Sequence, residues 1–167
     1  NGSNNTVTLG DNVRVTGTAS EFQGQTQISA SSIIVCSTTD TVTPTDIAFP
    51  VPTATHLERY EGMLIRVPQV MTVTEHFQLG RFNQVVLSSD GRLDNPTAVV
   101  APGAPAVALQ AANNLRKIIL DDSSQAQNPD PIIWARGGLP LSAANTLRGG
   151  DTATGIVGVM TYTWAGN

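Results

Sequence analysis

HLERYEGMLIRVPQVMTVTEHFQLGRFNQVVLSSDGRLD, residues 56–94, is the stretch on which the fold of this chain turns. Between Met63 and Glu75 the odd positions are Met63, Ile65, Val67, Gln69, Met71, Val73 and Glu75; the even ones include Arg66, Pro68, Thr72 and Thr74. A period of two means that one face meets a core and the other meets water. Val85 and Leu87 resume the alternation after the polar, glycine-containing connection Gln78-Leu79-Gly80-Arg81, and Ser89-Asp90-Gly91 supplies the next turn. The pattern predicts two long strands joined by a turn, a β-ribbon around which the other elements are arranged.

Upstream, Val7 to Ala19 reads as a strand opened by a turn at Gly10-Asp11, with Val13 and Val15 on one face. Glu21 to Gln25 is a hairpin connection in which Gly24 is free to take positive φ. Thr26 to Cys36 returns with Ile28, Ala30, Ile34 and Cys36 on one face. This pair resembles the last two strands of a small barrel, residues 1–37. Residues 38–55 carry Pro44, Pro50 and Pro52 among threonines without a lasting period, and are read as a linker.

Downstream, Pro102 and Pro105 precede Ala108, Ala111, Ala112, Leu115, Ile118 and Ile119 at helical spacing, which predicts a helix over about 106–120. Asp121 and Asp122 would then sit at the negative end of its dipole and call for a compensating arginine or cation. Ser123 to Leu147 is loop-like around the apolar island Ile132-Ile133-Trp134. Arg148-Gly149-Gly150-Asp151 opens a last strand system, Thr152 to Trp164, completing a second unit over 56–167. Gly150-Asp151-Thr152-Ala153 echoes Gly10-Asp11-Asn12-Val13, which suggests two related β units. Strands, then a helix, then strands is the order of the OB barrel. The expected class is mainly β with one helix: an OB-like barrel preceded by the last strands of another OB-like unit.

Charged residues make up 13% of the 167, about half the usual share, and the net charge is −4. That total does not describe a strongly basic nucleic-acid binder, so any phosphate binding falls to a local arginine patch. Lys117 is the only lysine against eight arginines, and the polar, uncharged surface points to a secreted protein. No apolar run is long enough for a membrane helix and no signal peptide is present, so the chain reads as a piece of a longer protein. Cys36 stands alone, which excludes an internal disulfide and a cysteine-based metal site, and it is read as a small core side chain.

Catalytic chemistry finds no constellation. His76 lies beside Glu75, but adjacent residues on a strand face opposite ways, and His56 ends the linker. A nucleophile elbow, a phosphate-cradling glycine loop and a paired-histidine motif are all missing from the sequence. No catalytic residue, metal site or cofactor is assigned to this chain. Asp121, Asp122 and Asp130 have the chemistry of a calcium loop without its spacing, so hydrogen bonds or a salt bridge are preferred there. The binding candidates are Arg59, Arg66, Phe77, Arg81, Phe82 and Arg92, because barrels of this kind stack bases on aromatics and track phosphates with arginines. Glu58, Glu61, Glu75 and Asp90 oppose them, and for any single residue the preferred reading is that Phe77 and Phe82 close the barrel end while the arginines only solubilise it.

GDNVRVTGTASEFQGQTQI, LERYEGMLIRVPQVMTVTEHFQLGRFNQVVLSSDGRL, ANNLRKIILDD and GDTATGIVGVM, in this order and spacing over most of residues 9–160, resemble the region ahead of the catalytic domain in large extracellular bacterial endonucleases of the ExeM/NucH type. The resemblance implies a non-catalytic accessory region of a secreted nuclease, with DNA and a downstream nuclease domain as its partners. It places the divalent metal and every catalytic residue in that downstream domain. A structural β spacer and a surface- or carbohydrate-binding module are the competing expectations.

Overall fold

A computed structural model describes residues 7–162. The polar lead 1–6 and the end of the expected last strand, Trp164 included, lie outside the described residues. Nine strands and three α-helices are described: β1 Asn12–Phe22, β2 Gln25–Ser37, β3 Thr45–Asp46, β4 Leu64–Val67, β5 Met71–Glu75, α1 Leu79–Phe82, β6 Val85–Ser88, α2 Pro96–Val99, α3 Ala104–Asn114, β7 Lys117–Leu120, β8 Thr152–Ala153 and β9 Ile156–Val159. The strands form three sheets, in the orders β1-β2, β3-β4-β9 and β7-β6-β5-β8. The chain is mainly β, but none of these sheets closes into a barrel among the described residues.

The chain divides into two compact units. One takes residues up to Thr45, Glu58–Arg66 and the chain from Val157; the other takes Asp46–Leu57 and Val67–Ile156.

In the first unit β1 and β2 form a long antiparallel hairpin. Its two-residue turn, Gln23-Gly24, has φ of 54° and 86°, as a primed turn requires. The Tyr162 ring lies against Gly24, Thr26 N–H donates to Glu61 Oε2 at 3.1 Å, and Gln25 Nε2 donates to Thr161 Oγ1 at 3.0 Å. The turn end of the hairpin is thereby anchored. Its long strands are mostly exposed: Ile28, Ile34, Val35 and Cys36 are not core residues, because no further strand or helix covers either face among the described residues.

In the second unit the alternation of the ribbon is the burial pattern. Val67, Met71, Val73, Val85 and Leu87 are buried, whereas Pro68 is exposed and Thr72 and Thr74 are half-buried. The expected single strand from Met63 to Glu75 is nevertheless two. Pro68 has no N–H to give to a ladder, and the chain breaks there. Gln69 replaces the lost pairing with its side chain, accepting from Phe49 N–H at 2.8 Å and donating to Phe49 O at 2.6 Å. Beyond the break β5 pairs with β6, Val73 opposite Leu87, and with β8, Met71 opposite Ala153. Ile47, Phe49 and Val51, inside the stretch read as linker, are buried, and Val51 N–H donates to Leu115 O at 2.8 Å.

The expected helix over 106–120 is shorter and ends differently. Pro105 does sit at its first turn, but α3 stops at Asn114 and residues 117–120 become strand β7. Ile118 and Ile119 fit both periods on paper. They are β-branched, and antiparallel pairing with Leu87 and Val86 decides for strand. The inward face of α3 is Ala106 and Asn113, both buried, with Leu109 half-buried, whereas Ala108, Ala111 and Ala112 are exposed. Two further helices, α1 and α2, are single turns absent from the expectation.

The Gly-Asp echo holds at the level of the turn. Gly10 and Gly150 have φ of 96° and 97°, each third in a β-turn closed by Asp11 N–H to Thr8 O and by Asp151 N–H to Arg148 O. In both, the aspartate side chain accepts the first residue's N–H at 2.8 Å. The Asp151 carboxyl is held below its usual range, chiefly by the Arg148 N–H; desolvation, the next largest effect, opposes this, and the Arg136 guanidinium at 3.2 Å adds a further lowering. A depressed folded-state pKa stabilises above the unfolded value of about 4, and that contribution is lost as pH falls through the folded value. The advantage of the wild type over Asp151→Asn in urea unfolding should therefore shrink below about pH 4. An advantage constant throughout acid would exclude this ionic role.

Candidate nucleic-acid interface

The connection from β5 to β6 carries three of the six candidate binding residues. Leu79 is buried and seats the single turn α1, whose C-cap Asn83 takes the left-handed conformation at φ 57°. Asn tolerates that region better than most residues, and here its buried side chain and backbone are both used. Trp134 Nε1–H donates to Asn83 O, and Asn83 Nδ2 donates to Asp122 Oδ2 at 2.8 Å. Arg81 O accepts Asn128 N–H at 2.8 Å, and the Arg81 guanidinium donates to Gln127 Oε1 at 3.3 Å. The loop is thus clamped from the 127–134 segment.

On this clamped loop the Arg81 guanidinium lies 5.0 Å from the centroid of the Phe82 ring, within cation–π range. Phe77 is 82% exposed at the start of the same loop. An exposed ring, a half-buried ring and a guanidinium therefore share one short segment. The arrangement offers a stacking face and a phosphate donor. The expectation that Phe77 closes the end of a barrel does not hold, since its ring faces solvent.

The other candidates are placed elsewhere. Arg92 follows the β6 turn, and its guanidinium lies over Gly149, where an added Cβ would stand 3.5 Å away. Arg59 and Arg66 belong to the first unit, Arg59 exposed in the 3-10 turn His56–Tyr60 and Arg66 on the outer face of β4. Both units contain more acidic than basic residues. His76 is exposed just after β5, and among the described residues no three His, Cys, Asp or Glu side chains gather as a metal cluster.

Sequence reasoning missed the clamp. Asn83, Gln127 and Trp134 have partners 39–51 residues away, and only the Asn that follows an apolar-aromatic turn hints at a left-handed cap. It also missed Arg116, which donates to Ser89 O at 2.5 Å and Asp90 O at 2.9 Å and so braces the turn after β6. The compensation expected at Asp121-Asp122 comes from amides, not from an arginine: Gln84 Nε2 donates to Asp121 Oδ2 at 2.5 Å and Asn83 supplies Asp122.

A separate cleft of about 270 Å³ opens beside β5 and β6, lined by Glu75, Asp94, Asn95, Gln110 and Lys117 among others. No helix among the described residues is long and apolar enough to cross a membrane. No protein-family model matches the sequence, and no curated protein or solved structure matches it either.

Proposed function

We propose that this chain is a non-catalytic accessory region of a secreted bacterial endonuclease and that its second unit receives single-stranded nucleic acid on the Phe77–Phe82 loop. In this reading the second unit is an opened OB-like sheet, and catalysis and its divalent metal belong to a downstream nuclease domain. The observation that carries it is the exposed Phe77 beside Arg81 and Phe82 on a loop that is already ordered. A ring on a mobile loop gives back part of its binding energy in ordering, and a clamped one gives back less.

Phe77→Ala should weaken binding of single-stranded DNA by about 1–3 kcal/mol. Arg81→Ala should lower the slope of log affinity against log salt by about 0.7, the share of one phosphate contact on a single strand. Fluorescence anisotropy at two salt concentrations, with folding checked by circular dichroism, measures both. Equal affinities in the three proteins, or no binding at low salt, would leave the loop without this role.

A structural spacer or a surface- or carbohydrate-binding module is the second reading. The cleft at Glu75, Asp94, Asn95 and Gln110 favours the carbohydrate form, because planar carboxylates and amides pair with sugar hydroxyls. Glycan binding without DNA binding would select it.

A further inference from the structure

The cleft of about 270 Å³ in the second unit is built from two walls. One is the outer face of the sheet. Glu75 on β5 stands opposite Val86 on β6, and Lys117 on β7 stands opposite Ser88, two residues along β6 from Val86. Opposed residues share a face of a sheet, so Glu75, Val86 and Lys117 project to one side, away from the buried Val85 and Leu87. The other wall is the segment from Leu93 to Pro96 together with α3. It is tied in place: Leu93 N–H donates to Thr74 Oγ1 at 2.8 Å, and Asn113 Nδ2 donates to Asp94 O at 3.4 Å.

These walls present mostly acceptors. Among the described residues the carboxylates of Glu75 and Asp94 take part in no ion pair or hydrogen bond, and neither does the Lys117 ammonium. Gln110 donates its amide nitrogen to Asn114 Oδ1 at 2.9 Å, which leaves its Oε1. Asn113 supplies an independent observation. It is 6% exposed, yet its Oδ1 accepts no hydrogen bond among the described residues and is not sealed from solvent. A smaller hollow of about 140 Å³ shares Leu93, Asp94 and Asn113 with the cleft, so this oxygen meets the same open space from either side. A buried acceptor without a donor costs stability, and a ligand that brings the donor recovers it.

We propose that this cleft binds an amino sugar with a free ammonium group. Two carboxylates against one lysine leave the cleft net negative, which repels phosphates and acidic sugars and favours a cation. An ammonium carries three donors and no acceptor, which matches Glu75, Asp94 and Asn113 Oδ1. Lys117 and Asn95 Nδ2 donate to the hydroxyl oxygens; Asn95 Oδ1 is already taken by Thr97. Glu75 and Lys117 stand two strand spacings apart, about 10 Å, so the ammonium and hydroxyl sides of one ring are told apart. Among the described residues no aromatic ring lines the cleft, so a neutral sugar finds no stacking face and charge must supply the affinity. The volume lies just under the range of about 300–1,000 Å³ usual for drug-sized ligands, and one sugar unit fits. The assignment rests on the carbohydrate-binding form of the second reading and is independent of DNA binding at the Phe77–Phe82 loop.

Titration of the isotope-labelled chain with glucosamine, N-acetylglucosamine and glucose, followed by NMR, tests this. Glucosamine should move the side-chain amide signals of Asn113 and the backbone signals of Glu75 and Asp94. It should bind about tenfold more tightly than the other two sugars, which lack the ammonium. Glu75→Gln and Asp94→Asn, both at exposed positions, should each weaken glucosamine binding about two- to fivefold. Equal affinity for the three sugars would overturn the amino-sugar assignment and leave the carbohydrate reading standing. Butylamine bound as tightly as glucosamine would overturn the assignment as well, because the sugar ring would then contribute nothing. Signals that no sugar moves would overturn both the assignment and the carbohydrate reading.

Discussion

Leu87→Ala should lower the stability of the second unit by about 2–5 kcal/mol. Leu87 is 1% exposed on β6, opposite Val73 on one side and Ile118 on the other. Truncation there removes apolar contacts from the middle of the four-stranded sheet, and neighbouring strands held on both sides cannot collapse into the space. The control is Ile34→Ala in β2, where the side chain is 55% exposed and the loss should stay within about 0.5 kcal/mol. Urea unfolding followed by tryptophan fluorescence and circular dichroism measures both. Equal losses at the two positions would show that the hairpin face is covered in solution and that the core is wrongly located.

Gly17→Val should disrupt the β1–β2 pairing around the bulge between Thr16 and Gly17. A Cβ on Gly17 would run into the Ser29 carbonyl oxygen, and would lie 2.8 Å from Ile28 Cγ2 and 2.9 Å from Ala30 Cα. Two of those three neighbours are backbone, so no rotamer change relieves the overlap. The strand must move, and the ladder bonds near Ser29 and Ala30 go with it. Overpacking of this kind costs about 1–3 kcal/mol. In a two-stranded hairpin, whose stability is marginal, that amounts to roughly ten- to a hundredfold faster amide exchange along β2. Unchanged protection would mean that the bulge migrates freely and that Gly17 does not set the register.

The loop that carries Phe77, Arg81 and Phe82 was partly legible in the sequence. The residues and their interleaving were plain, and so was their position between two alternating segments. Their joint presentation was not. It depends on Leu79 seating a single helical turn and on Asn83, Gln127 and Trp134 clasping it. None of those partners is near in sequence, and amide and indole hydrogen bonds leave no periodic trace. Arg59 and Arg66 look equivalent to Arg81 in the sequence, yet they fall in a different compact unit.

By itself the sequence determined what local chemistry controls. Period-two alternation set which side chains of Ile65–Val73 and Val85–Leu87 are buried, even across the break at Pro68, although Met63, expected on the same face, is exposed. Glycines at positions 10, 24 and 150 marked turns that need positive φ, and Pro105 marked the first turn of α3. Only the tertiary structure decided what depends on a distant partner. Residues 117–120 became a strand because β6 offered an edge to pair with, although their spacing served a helix equally well. The three sheets remained separate because closing a barrel requires specific strand-to-strand registers, and burial alternation constrains the face of a strand, not its neighbour.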